Sequence, residues 1–284
     1  MANSPQPRAS RSTADTIVLL HGLWMTPRSW AHWADRYSRA GFRVLTPAWP
    51  GLEVEVEQLR RDPSPIAALT PERVIEHYAD VVRGLDRPPI LMGHSFGGAF
   101  VQLLLDRGLG AAGVAIDPAP VRGVVRLPLS TLRAAFPILR NPANRHRAVP
   151  LTHDQFHFAF TNTLDEADSR AAYDRYAVPG AGSVLFGNAV ANWERHSPFD
   201  VNFANDDRAP LLLVAGGADH VAPASTTRAT AKLHRKSTAL TGYREFSGRS
   251  HFTVGQPGWE EVADYALEWA VEATSPHLVL AEGG

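Results

Sequence analysis

Cysteine is absent from the 284-residue chain, which excludes disulfide frameworks, thiolate metal sites and cysteine nucleophiles. The absence is silent on redox compartment, because a chain of this length buries enough apolar surface to fold without covalent staples. Lysine is nearly missing as well: of 28 basic residues, only Lys232 and Lys236 are not arginine. An excess of one charge is also lacking, with 29 acidic residues and a net charge of −1. A nucleic-acid partner, which normally shows as a basic excess, is therefore not expected. No run approaches the roughly 18 apolar residues of a membrane span, and the Ser/Pro/Arg-rich start has no apolar targeting core. No membrane partner is expected, and the expected location is cytoplasmic. What remains, 44% hydrophobic and 20% charged, is the composition of one ordinary globular domain with room for an insertion.

Residues 1–15 and 275–284 lack apolar periodicity and read as flexible tails. Between them short apolar runs alternate with helical patterns, which predicts an α/β fold: a mostly parallel sheet of about six strands with helices on both faces. The strands fall at 16–20, 42–46, 89–92, 112–116, 210–215 and 243–246. Several are continuous Val/Ile/Leu runs, as strands covered on both faces require. Thr26 with Pro27 opens a helix that Gly41 closes, and Thr70 with Pro71 opens another that Gly84 closes. Nearly ninety residues then separate two sheet strands, far more than a crossover needs. The core is thus read as 16–119 and 208–274, and 120–207 as a helical cap insertion. Its helical patches at 129–139, 152–163, 165–176 and 182–193 are separated by Pro128, Pro137, Pro142, Pro150 and Pro179.

The most informative residues are Gly93-His94-Ser95-Phe96-Gly97-Gly98, directly after one predicted strand and before the helical run from Ala99. A serine on a tight strand-to-helix turn needs small neighbours for the turn to close, and the helix N-terminus then faces the site. A serine hydroxyl also needs a base, and the base an orienting group. In an open parallel sheet reactive groups gather beyond the carboxyl ends of strands. Asp219 lies there in AGGADH and His251 in SGRSHF, giving the chain order Ser, Asp, His.

That order and those positions resemble the α/β-hydrolase superfamily over residues 16–119 and 209–272. The resemblance implies a nucleophile at Ser95, a carboxylate at Asp219 and a base at His251. It also implies an oxyanion hole made by the backbone N–H groups of Phe96 and Leu23, with Trp24 the alternative to Leu23, because His21-Gly22-Leu23-Trp24 is similar to the superfamily's His-Gly-x loop. Here His21 is read as structural. Asp117, just past the fourth strand, is the second choice for the acid, some superfamily members placing it there. The pair of early strands found in many relatives has no counterpart before Thr16, so the sheet is expected to be trimmed at one edge.

Other features are assigned bland roles. Gly108, Gly110 and Gly113 spell G-x-G-x-x-G, but after a helix and before a strand, the reverse of a dinucleotide fingerprint. His153 and His157 are spaced as two ligands on one helix face, yet no third ligand is evident and no metal site is expected. Arg122, Arg126, Arg133, Arg140, Arg145 and Arg147 crowd a stretch without Asp or Glu, read as a solvated cap face. Phe156, Phe158, Phe160, Phe186 and Trp193, with Trp24 and Trp30, are candidate pocket walls. The pocket set adopted is Trp24, His94, Phe156, His157, Phe160, Phe186 and His220. These readings converge on a cofactor-independent serine hydrolase acting on carboxylic esters of small or medium apolar acids, monomeric or homodimeric. Carbon–carbon bond hydrolysis, lactone opening and thioester cleavage on the same triad stay open, as does a ligand receptor that has lost turnover.

Overall fold

The computed structural model describes residues 14–126 and 128–275, so the two expected tails fall almost wholly outside the described residues. In chain order the strands are β1 (Thr16–Leu20), β2 (Arg43–Leu45), β3 (Ile90–His94), β4 (Ala112–Ile116), β5 (Ala148–Val149), β6 (Gly180–Ala181), β7 (Leu211–Gly216) and β8 (Thr241–Phe246). The helices are α1 (Ala31–Arg39), α2 (Val56–Arg61), α3 (Ser64–Ala67), α4 (Pro71–Arg83), α5 (Phe96–Asp106), α6 (Leu129–Leu139), α7 (His153–Ala159), α8 (Glu166–Tyr176), α9 (Gly182–Val190), α10 (Ala224–His234) and α11 (Trp259–Ala273).

Six strands form one parallel sheet in the order β2-β1-β3-β4-β7-β8, while β5 and β6 make a separate two-residue antiparallel ladder. β1, β3, β4 and β7 are buried along their whole length. Alternate residues feed two cores: Ile17, Leu19, Ile90, Met92, Leu212 and Val214 pack with α1 and α11. Val18, Leu20, Leu91, Ala115, Leu211 and Leu213 pack with α4, α5 and the segment between β4 and β7. This two-sided burial is why the strands read as continuous apolar runs. The chain leaves β1 for β2 on one side and returns to β3 on the other, which opens a crevice beyond the carboxyl ends of β1 and β3.

The helix-opening signals act locally. Thr26 accepts the Arg28 N–H to start a single 3₁₀ turn that leads into α1, and Thr70 accepts the Arg73 N–H at the head of α4. Between β4 and β7 the chain carries α6 to α9. Pro137 does not separate two helices as the sequence suggested; it lies inside α6, in the last turn, where only one helical bond is forfeited before the helix ends. Trp30, a candidate pocket wall, lies on the far side of the sheet with Trp33 and Tyr37.

Candidate active site

β3 ends at His94 and α5 begins at Phe96, so Ser95 alone makes the turn, at φ +56° and ψ −118°. Such a backbone costs a side-chain-bearing residue on the order of 1–3 kcal/mol and persists only where its surroundings enforce it. They do so here: the Ser95 N–H donates to the Ile116 carbonyl at 2.9 Å, and the Ser95 carbonyl accepts the Ala119 N–H at 2.9 Å. A Cβ on Gly93 would overlap the Gly97 carbonyl, and one on Gly97 the Leu20 carbonyl. Only glycine at both positions lets strand, turn and helix approach this closely.

The loop after β8 brings His251 over the turn. Its Nε2 lies 3.0 Å from Ser95 Oγ, and its Nδ1 2.7 Å from Asp219 Oδ2. An ionised carboxylate only accepts, so Nδ1 carries the proton and Nε2 is left to accept from the serine hydroxyl. The other oxygen of Asp219 accepts the Val221 and Ala222 N–H groups at 2.6 and 2.9 Å. Ser95, Asp219 and His251 are all buried.

The histidine loop is held from three sides. Trp33 donates its indole N–H to the Val254 carbonyl at 2.7 Å, the Phe252 N–H donates to the Phe160 carbonyl at 2.9 Å, and Ser250 donates from its N–H and Oγ to Gln256 Oε1. Arg249 donates to the Pro257 and Gly258 carbonyls. Sequence reasoning missed this clamp, because its acceptors are mostly backbone atoms that leave no residue signature.

Burial pulls the His251 imidazolium down, but the adjacent Asp219 carboxylate, with Asp117 behind it, outweighs burial and leaves the pKa above its ordinary 6.5. Asp117 is the less usual neighbour. It is buried at φ +45°, its Oδ1 accepts the Gly216 N–H at 2.5 Å, and its Oδ2 has no hydrogen-bond partner among the described residues. Burial first, and then the Asp219 charge, push its pKa up to about 8, so at neutral pH it is held largely as the neutral acid. The second-choice acid is thus in the site's wall, but the carboxylate bonded to His251 is that of Asp219.

His94, Asp117 and His251 each offer an atom within 4.8 Å of the others. As a metal-ligand set they fit poorly. Both His251 nitrogens are bonded to Ser95 and Asp219, and His94 Nε2 lies 2.7 Å from the His251 carbonyl. His94, placed in the pocket set on sequence grounds, instead stands behind His251, and burial followed by the neighbouring His251 charge keeps it well below the usual histidine range. His21 bonds the Gly22 carbonyl through Nδ1 and accepts the Trp49 N–H at Nε2, with burial lowering its pKa to about 4. It is a neutral brace for the loop carrying Leu23. Phe96 opens α5, so its N–H has no acceptor in the preceding turn. Trp24 stands at φ +63°, its indole N–H on the Val149 carbonyl.

A cavity of about 720 Å³ opens from Ser95. Of the seven expected pocket residues, Trp24 and Phe160 line it. Phe156 stacks on Phe160 but faces a smaller neighbouring cavity, because one helical turn carries it past Ser95. His157, Phe186 and His220 line neither cavity. His220 is turned away by its bond to the Phe158 carbonyl at 2.8 Å, His157 stacks with His153, and Phe186 packs into the core. The walls that sequence reasoning missed are α6, with Leu132, Phe136 and Leu139, and Leu185 of α9. The i, i+3, i+7 spacing of Leu132, Ala135 and Leu139 was the available signal.

A family model described as the alpha/beta hydrolase family matches residues 17–265. None of the curated proteins matches the chain. Among solved structures it is similar to the monoacylglycerol lipase of Paleococcus ferrophilus, at 22% identity over 93% of this chain and 97% of that one, with TM-score 0.60. A thermophilic esterase from Thermogutta terrifontis aligns over 93% and 92% of the two chains at 17% identity and TM-score 0.65. An extracellular alpha/beta-hydrolase from a Paenibacillus species does so over 89% and 98% at 18% and 0.64. With nearly the whole described chain matched and the parallel sheet in place, the chain belongs to the alpha/beta hydrolase family.

Proposed function

We propose that the protein is a serine hydrolase of carboxylic esters with medium-sized apolar acyl groups, working without a cofactor through Ser95, His251 and Asp219. The observation that carries this reading is the unbroken bond series from Ser95 Oγ to His251 at 3.0 Å and from His251 to Asp219 at 2.7 Å. Ser95 Oγ attacks the ester carbonyl as its proton passes to His251 Nε2. The N–H groups of Phe96 and Leu23 hold the oxyanion, each such donor contributing about 3 kcal/mol to the transition state. Collapse expels the alcohol, which leaves with the His251 proton. Water activated by the same nitrogen then releases the acid and restores Ser95. Asp219 keeps the imidazole in the Nδ1–H tautomer and stabilises its charged form. The acyl group lies in the 720 Å³ cavity, whose lining is largely Leu, Ala, Val, Phe and Trp beneath a cap made by the segment between β4 and β7. The lipase and esterase names of the structural neighbours agree with ester chemistry.

The test pairs fluorophosphonate labelling with turnover of p-nitrophenyl butyrate. Labelling of the parent at Ser95, and loss of both labelling and turnover in Ser95→Ala, is the expected result. A parent protein that reacts with neither reagent overturns the reading.

A further inference from the structure

Eight large apolar side chains are exposed among the described residues, and six of them belong to the cavity's lining or adjoin it along the chain: Leu132, Phe136 and Trp193 line the Ser95 cavity, and Val125, Leu129 and Val190 lie within two residues of Val124, Thr131 and Ala189, which line it. Leu129 is 84% exposed, Val125 80% and Trp193 76%. Leu132, Phe136 and Trp193 also line the cavity, so its inner wall and this outer face are one surface. Asn192 joins the two strips of chain that compose it, accepting the Gly123 N–H at 2.6 Å and donating to the Val124 carbonyl at 3.3 Å. On α6 the spacing of Leu129, Leu132, Arg133, Phe136 and Arg140 sets apolar and cationic side chains along one exposed side.

Charge narrows the occupant. From 118 to 153 the sequence has no Asp or Glu. Arg126, Arg133 and Arg140 are exposed, and none has a carboxylate within ion-pair distance among the described residues. Arg133 lies over the Phe158 ring at 4.1 Å. Glu194, beside Trp193, is the nearest acid along the chain. A two-fold contact with a second copy would bring Arg126, Arg133 and Arg140 of each copy into one interface, with Glu194 the one acid that adjoins the patch along the chain to offset them. An apolar face edged by unpaired guanidinium groups suits instead a surface that is greasy within and negative outside.

We infer that this face docks on a lipid surface bearing anionic headgroups, with the cavity mouth turned toward it so that an acyl ester passes from the lipid to Ser95 without crossing water. The inference rests on the hydrolase reading only for its second half. The sequence expectation of no membrane partner came from the lack of a span, and indeed no helix among the described residues is long and apolar enough to cross a membrane. Peripheral docking needs none.

Co-sedimentation with vesicles tests it, using phosphatidylcholine alone or mixed with equal phosphatidylglycerol. The full chain is expected to bind the mixed vesicles, and to bind pure phosphatidylcholine or mixed vesicles in high salt at least about tenfold less. Val125→Ser with Leu129→Ser is expected to lower binding by about tenfold or more, and Arg140→Gln by about fivefold. None of these three residues lines the cavity, so p-nitrophenyl butyrate turnover stays within about twofold of the parent. Absence of vesicle binding, binding that ignores these substitutions, or a dimer in equilibrium sedimentation that Val125→Ser/Leu129→Ser dissolves would each overturn the inference. Ser95→Ala is expected to bind vesicles like the parent. An unlabelled Ser95 in the parent therefore counts against ester delivery, while vesicle binding decides docking separately.

Discussion

The floor and the roof of the Ser95 cavity solve opposite problems. On the floor, Ser95, His251, Asp219 and Asp117 are buried; backbone N–H groups of Gly216, Val221 and Ala222 bond the two carboxyl groups, and Gly93 and Gly97 hold the Ser95 turn where a Cβ would collide with main chain. In the roof, α6 leaves Leu129 and Phe136 in solvent, and its N-terminus has no side-chain cap. In the proposed mechanism, rigid burial holds two proton transfers in line. A loosely held apolar roof suits a substrate whose length and shape vary. On the proposed function, the contrast assigns chemistry and selectivity to different parts of this chain, so substitutions in each should fail differently.

The floor should break first and hardest. Asp219→Asn keeps the geometry but presents an amide to His251 Nδ1, and kcat is expected to fall about 10⁴-fold, read as turnover of p-nitrophenyl butyrate. The pH profile carries the sign. The base works neutral, and its pKa is raised in the parent, so the acid limb of kcat/KM should lie above pH 6.5 and move lower in the variant. An acid limb unmoved by Asp219→Asn would dissociate the two residues. Gly97→Ala is the matching test of the scaffold. Its Cβ meets the Leu20 carbonyl, backbone in a central strand that cannot yield, so destabilisation on the order of 4 kcal/mol, or no soluble protein, is expected in urea unfolding.

The floor was also the more legible half of the sequence. Strands buried on both faces leave continuous apolar runs, and Gly93 and Gly97 flank Ser95 because no other residue lets the turn close. The loops holding Asp219 and His251 follow strands, and strand ends are where a parallel sheet gathers its chemistry. By contrast α10 is buried through Thr226, Thr227, Thr230 and Ala231, a face too polar for hydrophobic periodicity to register. The β5–β6 ladder has two residues on each strand, below any period. The roof was misread in detail because ring size was taken as a guide to the pocket. Which helix lies over Ser95 decides the lining, and that placement comes from packing between segments far apart in sequence. Asp117 sits between these cases. Its residue type was visible, but its closeness to Asp219 depends on β4 pairing with β7, in the register Ile116 to Val214, which no local pattern specifies.

Asp117→Asn probes that pairing through the pH dependence of stability rather than through loss of turnover or of the fold. A group whose folded pKa is raised holds its proton where the unfolded chain releases it, so its contribution is complete below about pH 4 and is lost as the pH rises toward 8. Asparagine keeps an oxygen for the Gly216 N–H and has no charge to bury. The variant should therefore lose less stability than the parent between pH 5 and pH 9, by an order of a few kcal/mol at 1.4 kcal/mol per unit. Urea midpoints at the two pH values measure it. Parallel curves for the two proteins would mean that Asp117 is ionised in the folded state across this range.

The roof should yield most gently. Phe136 is 63% exposed yet lines the cavity, so Phe136→Ala removes wall without leaving a buried void, and stability should change by no more than about 0.5 kcal/mol. Selectivity should change more, because a wall that contacts the acyl chain discriminates by about tenfold per methylene or two. Across p-nitrophenyl esters from acetate to laurate, the preferred length in kcat/KM is expected to lengthen while the acetate rate, set by the floor, holds within about twofold. If acetate and laurate fall together, the roof is part of the catalytic frame after all, and the division between a rigid floor and an adaptable roof fails at the one helix on which it most depends.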